Sequence, residues 1–135
     1  MLAWSWAVDR LEAARSYWIG SASPTGRPHA MPVGGLWLDG AFVFGTSAES
    51  RKARDVTSNP RVVVHLGSGD EVVVVEGGVD VIALDERIAD AYGVKYDYRP
   101  EPGSSSGLWC RVEPRVAYAW LESDYPRTAT RFDFG

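Results

Sequence analysis

The chain has 135 residues, 45% of them hydrophobic, which suits one domain over residues 1–135 with a continuous core rather than a string of modules. A net charge of −4 argues against nucleic acid or anionic membrane as partners, so any anion site must be local. The lone cysteine, Cys110, can form no internal disulfide, and no run reads as a signal peptide or a membrane span, so a reducing cytoplasm is expected.

In chain order, AWSWAVDRLEAARSYW sets Trp4, Ala7, Val8, Leu11 and Ala14 at helical spacing, with Arg10, Glu12 and Arg15 opposite, which predicts an amphipathic lid helix. SYWIGSA reads as a strand, SPTGRP as a turn, and HAMPVGGLWL as a second strand interrupted by Gly34 and Gly35, where a bend or a close approach is expected. LWLDGAFVF is the clearest hairpin, because Asp39-Gly40 suits a type I′ turn between apolar strands. A short helix is predicted from Ser47 to Val56, closed by Thr46 and Glu49 as a T-x-x-E capping box and stopped at Asn59-Pro60.

RVVVHL then reads as a strand, GSGD as a turn, and EVVVVEGGVDVIA as a long strand whose four valines need cover on both faces. LDERIADAYGVKY predicts a helix with Asp85 as its N-cap, RPEPGSSSG a mobile loop, and LWCRVEPRVAYAWLE a last strand. The tail residues Arg131 and Phe132 either fold over a partner's groove or fray. Strands joined mostly by tight turns predict a mainly β fold with a few helices, a closed or split barrel of about six antiparallel strands. Trp4, Trp6, Trp18 and Trp37 are expected in the core or at an interface between subunits.

No Cys, His and carboxylate spacing suggests a metal, and His29 and His65 read as structural histidines. There is no G-x-S-x-G elbow, and GSGDEV lacks the rest of a dinucleotide fingerprint, so hard chemistry would belong to a bound cofactor. The stretch TSAESRK, residues 46–52, is the candidate holder. A helix start gathers free N–H groups and positive dipole, and Ser50, Arg51 and Lys52 add a hydroxyl and two cations within reach of a phosphate. An ordinary capped helix with a basic solvent face explains the same residues equally well.

RPHAMPV at 27–33, DGAFVFGT at 39–46, SRKARDVTSNPRVVV at 50–64 and VVVVEGGVDVI at 72–82 together cover most of residues 18–82. In this order they resemble the pyridoxamine 5′-phosphate oxidase-like family of split β-barrels, which bind flavin or deazaflavin. The resemblance implies a homodimer with FMN or the deazaflavin coenzyme F-420 in a groove between subunits. It puts the cofactor phosphate near Thr46, Ser50, Arg51 and Lys52, and the ring along the strand carrying His29, Met31, Pro32, Val33 and Gly34. The four valines would help build the dimer interface.

Two departures narrow the activity. The oxidase proper carries two bases on its second strand, where this chain has only Arg27 and His29 nearby, and TATRFDFG stands in place of an arginine-leucine-x-proline ending. The expectation is therefore an oxidoreductase acting on another small molecule, by hydride transfer and without an evident acid or base side chain. The alternative from a different class is a non-catalytic carrier of a flavin, haem or related tetrapyrrole.

Overall fold

The computed structural model describes residues 1–103 and 107–135. The elements are α1 (Trp4–Ala13), β1 (Tyr17–Ala22), β2 (Pro28–Val33), β3 (Leu36–Leu38), β4 (Ala41–Ser47), α2 (Arg51–Ser58), β5 (Arg61–His65) and β6 (Glu71–Ile82), then α3 (Glu86–Tyr96), β7 (Gly107–Leu121), α4 (Tyr125–Thr128) and β8 (Thr130–Asp133). The sheet has eight strands in the order β2-β1-β5-β6-β7-β4-β3, all pairings antiparallel, and β8 is added on β7 beyond β4. Its two ends, β2 and β3, are consecutive in the chain, so the sheet must curl to bring them together. A split barrel results.

Alternation along the strands fills the inside. Tyr17, Ile19, Phe42, Phe44, Val64, Val73, Val75, Cys110, Val112 and Ala117 are buried there, joined by Ala7 and Leu11 of α1. Outside, α3 covers one part of the sheet, packing Ile88 against Leu36 and Val43. The other part is open. Along β6, Val73 and Val75 are buried while Val72 and Val74 on the opposite face are only half-buried, beside Tyr118 and Trp120 of β7. The chain therefore covers one face of the four valines and leaves the other incompletely covered.

The Asp39-Gly40 hairpin forms as expected, with φ of 53° and 76°, the left-handed pair that a type I′ turn requires. Asp85 caps α3, its carboxylate accepting from the Ile88 N–H at 2.8 Å. Two expectations change. The stretch HAMPVGGLWL is two strands at opposite ends of the sheet, because Gly34 and Gly35 carry the chain across the barrel mouth; this and the tail raise the strand count from about six to eight. The tail neither frays nor leaves the domain. β8 pairs with residues 116–119 of β7, and Phe132 packs on Trp4 at 5.0 Å between ring centres. The mobile-loop expectation at 99–107 includes residues 104–106, which lie outside the described residues.

The crossing at Gly34-Gly35 is tied down by α3. Tyr96 Oη accepts from the Gly35 N–H at 2.8 Å, and Lys95 Nζ donates to the Gly35 carbonyl and to Tyr17 Oη, each at 2.7 Å. Burial, helped by Arg15, pushes Lys95 down from 10.5 to about 8. Burial likewise holds the Tyr17 hydroxyl above its ordinary 10.0. Between about pH 8 and 10 the unfolded chain keeps the lysine proton that the folded chain releases, so stability should rise with pH across that window; above pH 10 Tyr17 acts in the opposite sense. Denaturant titrations at two pH values within the window should show the rise, and Lys95→Met should lack it. A wild-type protein with no such rise would mean that Lys95 keeps an ordinary proton affinity.

Candidate functional site

β4 delivers the chain to α2. Its last residues, Thr46 and Ser47, pair with Leu108 and Gly107 of β7, which keeps Thr46 in the strand and moves the helix start to Arg51. The expected T-x-x-E box is therefore not what closes the helix. Ser50 is the N-cap, its Oγ accepting from the Ala53 N–H at 3.0 Å, and Thr46 Oγ1 lies 3.1 Å from that Oγ. Ser50→Ala should cost about 1 kcal/mol of unliganded stability and Thr46→Ala less, as measured by denaturant titration. The reverse order would return the cap to Thr46.

Beyond the cap the two cations differ. Arg51 donates to the Pro28 carbonyl at 3.3 Å and stands 3.7 Å from the Asp55 carboxylate, which is buried to 5% exposure and has one oxygen without a hydrogen bond. Arg51 thus clamps α2 to β2. Lys52 has no hydrogen bond or ion pair among the described residues, and burial holds its proton affinity below the ordinary lysine value. It is a half-buried cation in the first turn of a helix, where the dipole is also positive. An anion placed there would relieve both costs.

β2 ends the sheet, so one row of its backbone groups has no strand partner. His29, Met31 and Val33 share its inner face, opposite Ser21, Ile19 and Tyr17, while Pro32 lies on the outer one. Met31 is 46% exposed, a large apolar side chain open to a ligand. Gly34 sits under α3: a Cβ there would meet the Tyr92 and Tyr96 rings at 3.4 Å, so packing by the helix already accounts for this glycine. Arg51 joins α2 to β2, but Thr46 lines a separate hollow with Tyr92, Tyr98 and Trp109, and His29 borders another groove, with Pro28, Ala30 and Arg61. His65 Nδ1 pairs with the Leu66 carbonyl at 2.8 Å, the structural role expected, and no metal-binding cluster occurs among the described residues.

A family model for pyridoxamine 5′-phosphate oxidase matches residues 7–121, most of the chain. The chain belongs to the pyridoxamine 5′-phosphate oxidase family. A curated pyridoxine/pyridoxamine 5′-phosphate oxidase of Rubrobacter xylanophilus is 33% identical over 120 residues, covering 85% of this chain and 52% of that protein. The chain thus spans about half the length of this relative. Among solved structures of similar fold, a pyridoxamine 5′-phosphate oxidase-related, FMN-binding protein of Nostoc punctiforme superposes with TM-score 0.67 at 14% identity, covering 100% of this chain and 98% of its own. An F-420 reductase gives 0.64 at 18% identity, over 81% and 93%. HutZ, the haem storage protein of Vibrio cholerae, gives 0.68 at 11% identity, over 85% and 92%.

Sequence reasoning about this oxidase-family domain missed Asp55 and Pro28, the two partners of Arg51. Asp55 could have been found, since an acid four residues after an arginine on one helix face is a pairing signal. Pro28 could not, because its role is a backbone carbonyl. No helix among the described residues is long and apolar enough to cross a membrane.

Proposed function

We propose that the domain is a homodimeric oxidoreductase that binds the deazaflavin coenzyme F-420, in preference to FMN, with the cofactor phosphate at the start of α2. The observation that carries this reading is Lys52, a desolvated cation without an acidic partner among the described residues, in the first turn of the helix that Ser50 caps. Ser50, Arg51 and Lys52 would hold the phosphate by charge-assisted hydrogen bonds. The free edge of β2, with Met31 and Val33 on its inner face, would lie along the ring. Such a cofactor supplies hydride transfer when bound. The chain's own part is to orient it, to keep water from one face and to set its distance from substrate.

The preference for deazaflavin rests on β2 carrying His29 as its sole basic residue, where the oxidase proper has two bases. The half-buried Val72 and Val74 supply the apolar surface for a second copy. Protein from a host lacking the deazaflavin should be colourless and bind added coenzyme F-420 more tightly than FMN. The reduced cofactor should then turn over with a member of a panel of quinones, nitro compounds and enones. Stoichiometric FMN surviving purification would reverse the preference, and tight binding without turnover would favour a carrier.

A further inference from the structure

A groove of about 950 Å³ opens mainly on the outer face of the sheet, between β2, β5, β6 and β7, and three charged residues stand in it: Arg61, Arg115 and Glu76. Its lining is otherwise largely apolar, with Ala22, Val63 and Val116 among the walls. The position of Arg115 comes from an irregularity in the sheet. Glu76 lies opposite Val116 and Gly77 opposite Pro114, so Arg115 is the extra residue of a β-bulge in β7. Bulges re-aim side chains. Here the guanidinium is brought over Gly78, where an added Cβ would lie 3.7 Å from Nε and 3.8 Å from Nη2. The Phe134 N–H donates to the Arg115 carbonyl at 2.9 Å, so the segment following β8 braces the bulge.

Arg61 faces the same Gly78 across the β5–β6 ladder. One guanidinium therefore lies over a position without a side chain, and a second arginine stands opposite that position on the neighbouring strand. Nearby arginines are satisfied: Arg111 pairs with Glu113 at 2.7 Å and Arg131 with Asp133 at 3.1 Å. Arg61 and Arg115 have no ion pair or side-chain hydrogen bond among the described residues. Two cations against Glu76 leave one positive charge in an apolar groove of ligand size.

We infer that this groove receives an apolar carboxylate, held by Arg61 and Arg115 over Gly78. A planar carboxylate matches the guanidinium fork, and a single negative charge balances the groove. The site uses neither Arg51 nor Lys52 and goes beyond the cofactor reading, so each can fail without the other.

The test is equilibrium titration of the full chain with 2-naphthoate, 2-naphthamide and 2-naphthyl phosphate, each with and without saturating cofactor. The carboxylate should bind at least about tenfold more tightly than the neutral amide. Arg61→Gln and Arg115→Gln should each remove most of that difference while leaving the amide and the cofactor bound as in wild type. Arg115→Lys should fall between, having the charge without the fork. Gly78→Leu, whose Cβ meets ordinary contact distances, should block both the naphthoate and the naphthamide. Equal binding of carboxylate and amide, wild-type affinity in the arginine variants, wild-type probe binding by Gly78→Leu, or tighter binding of the naphthyl phosphate would each overturn the assignment.

Discussion

Val73→Glu should give no folded protein at ambient temperature, whereas Val74→Glu, one residue on, should fold and lose self-association. The Val73 side chain is 1% exposed inside the barrel, and an unpaired carboxylate there costs several kcal/mol, a large part of the roughly 5–15 kcal/mol that stabilises a domain. Val74 points the other way and is half-buried on the uncovered face, opposite Tyr118. A carboxylate there stays hydrated in the monomer but would be buried against a second copy. Circular dichroism reads the first effect and sedimentation at micromolar concentration the second. A wild-type monomer, or a Val74→Glu protein that still sediments as a dimer, would take this face out of any interface.

Lys52→Ala and Arg51→Ala should each weaken cofactor binding by about ten- to a hundredfold, since a charge-assisted hydrogen bond contributes roughly 1.5–3 kcal/mol. Their effects on the unliganded protein should diverge. Lys52 has no hydrogen-bond or ion-pair partner among the described residues, so its removal should leave stability unchanged or raise it. Loss of Arg51 strands the buried Asp55 carboxylate and releases the Pro28 carbonyl, which should cost about 1–3 kcal/mol. Two adjacent cations at a helix start would by themselves make both removals neutral or favourable; the buried Asp55 changes that for Arg51. Lys52→Ala is accordingly the cleaner probe, and wild-type affinity of that variant for FMN and for the deazaflavin would reduce the start of α2 to a capped helix.

What was legible in the sequence is what is decided locally. Asp39-Gly40 between apolar runs, the valine run in residues 71–82 and the Asp85 cap each carry their signal within a few positions. The misread features depend on distant partners. Two cap arrangements compete in TSAES, and the ladder from β4 to residues 107 and 108 chooses between them by holding Thr46 in a strand. Gly34-Gly35 announces a bend, yet nothing nearby says that the next strand joins the far end of the sheet. The bulge at Arg115 has no local signature, because it exists only relative to Glu76 and Gly77. β8 was readable: Phe132 stands between two charged residues, and it packs half-buried against the core while Arg131 and Asp133 are exposed.

The free edge of β2 has a further consequence, for aggregation. A strand at the end of a sheet is a template for any extended chain that can match its hydrogen bonds. Pro28 and Pro32 cannot donate to β1, so the even-numbered residues turn their backbone groups outward, and the Pro28 carbonyl is indeed the one that Arg51 reaches. Along that outward row only Ala30 keeps an N–H. A foreign strand would find acceptors there and almost no donors, so it could not zip on. The edge can stay bare in a crowded solution while still accepting hydrogen bonds from a small molecule laid against it.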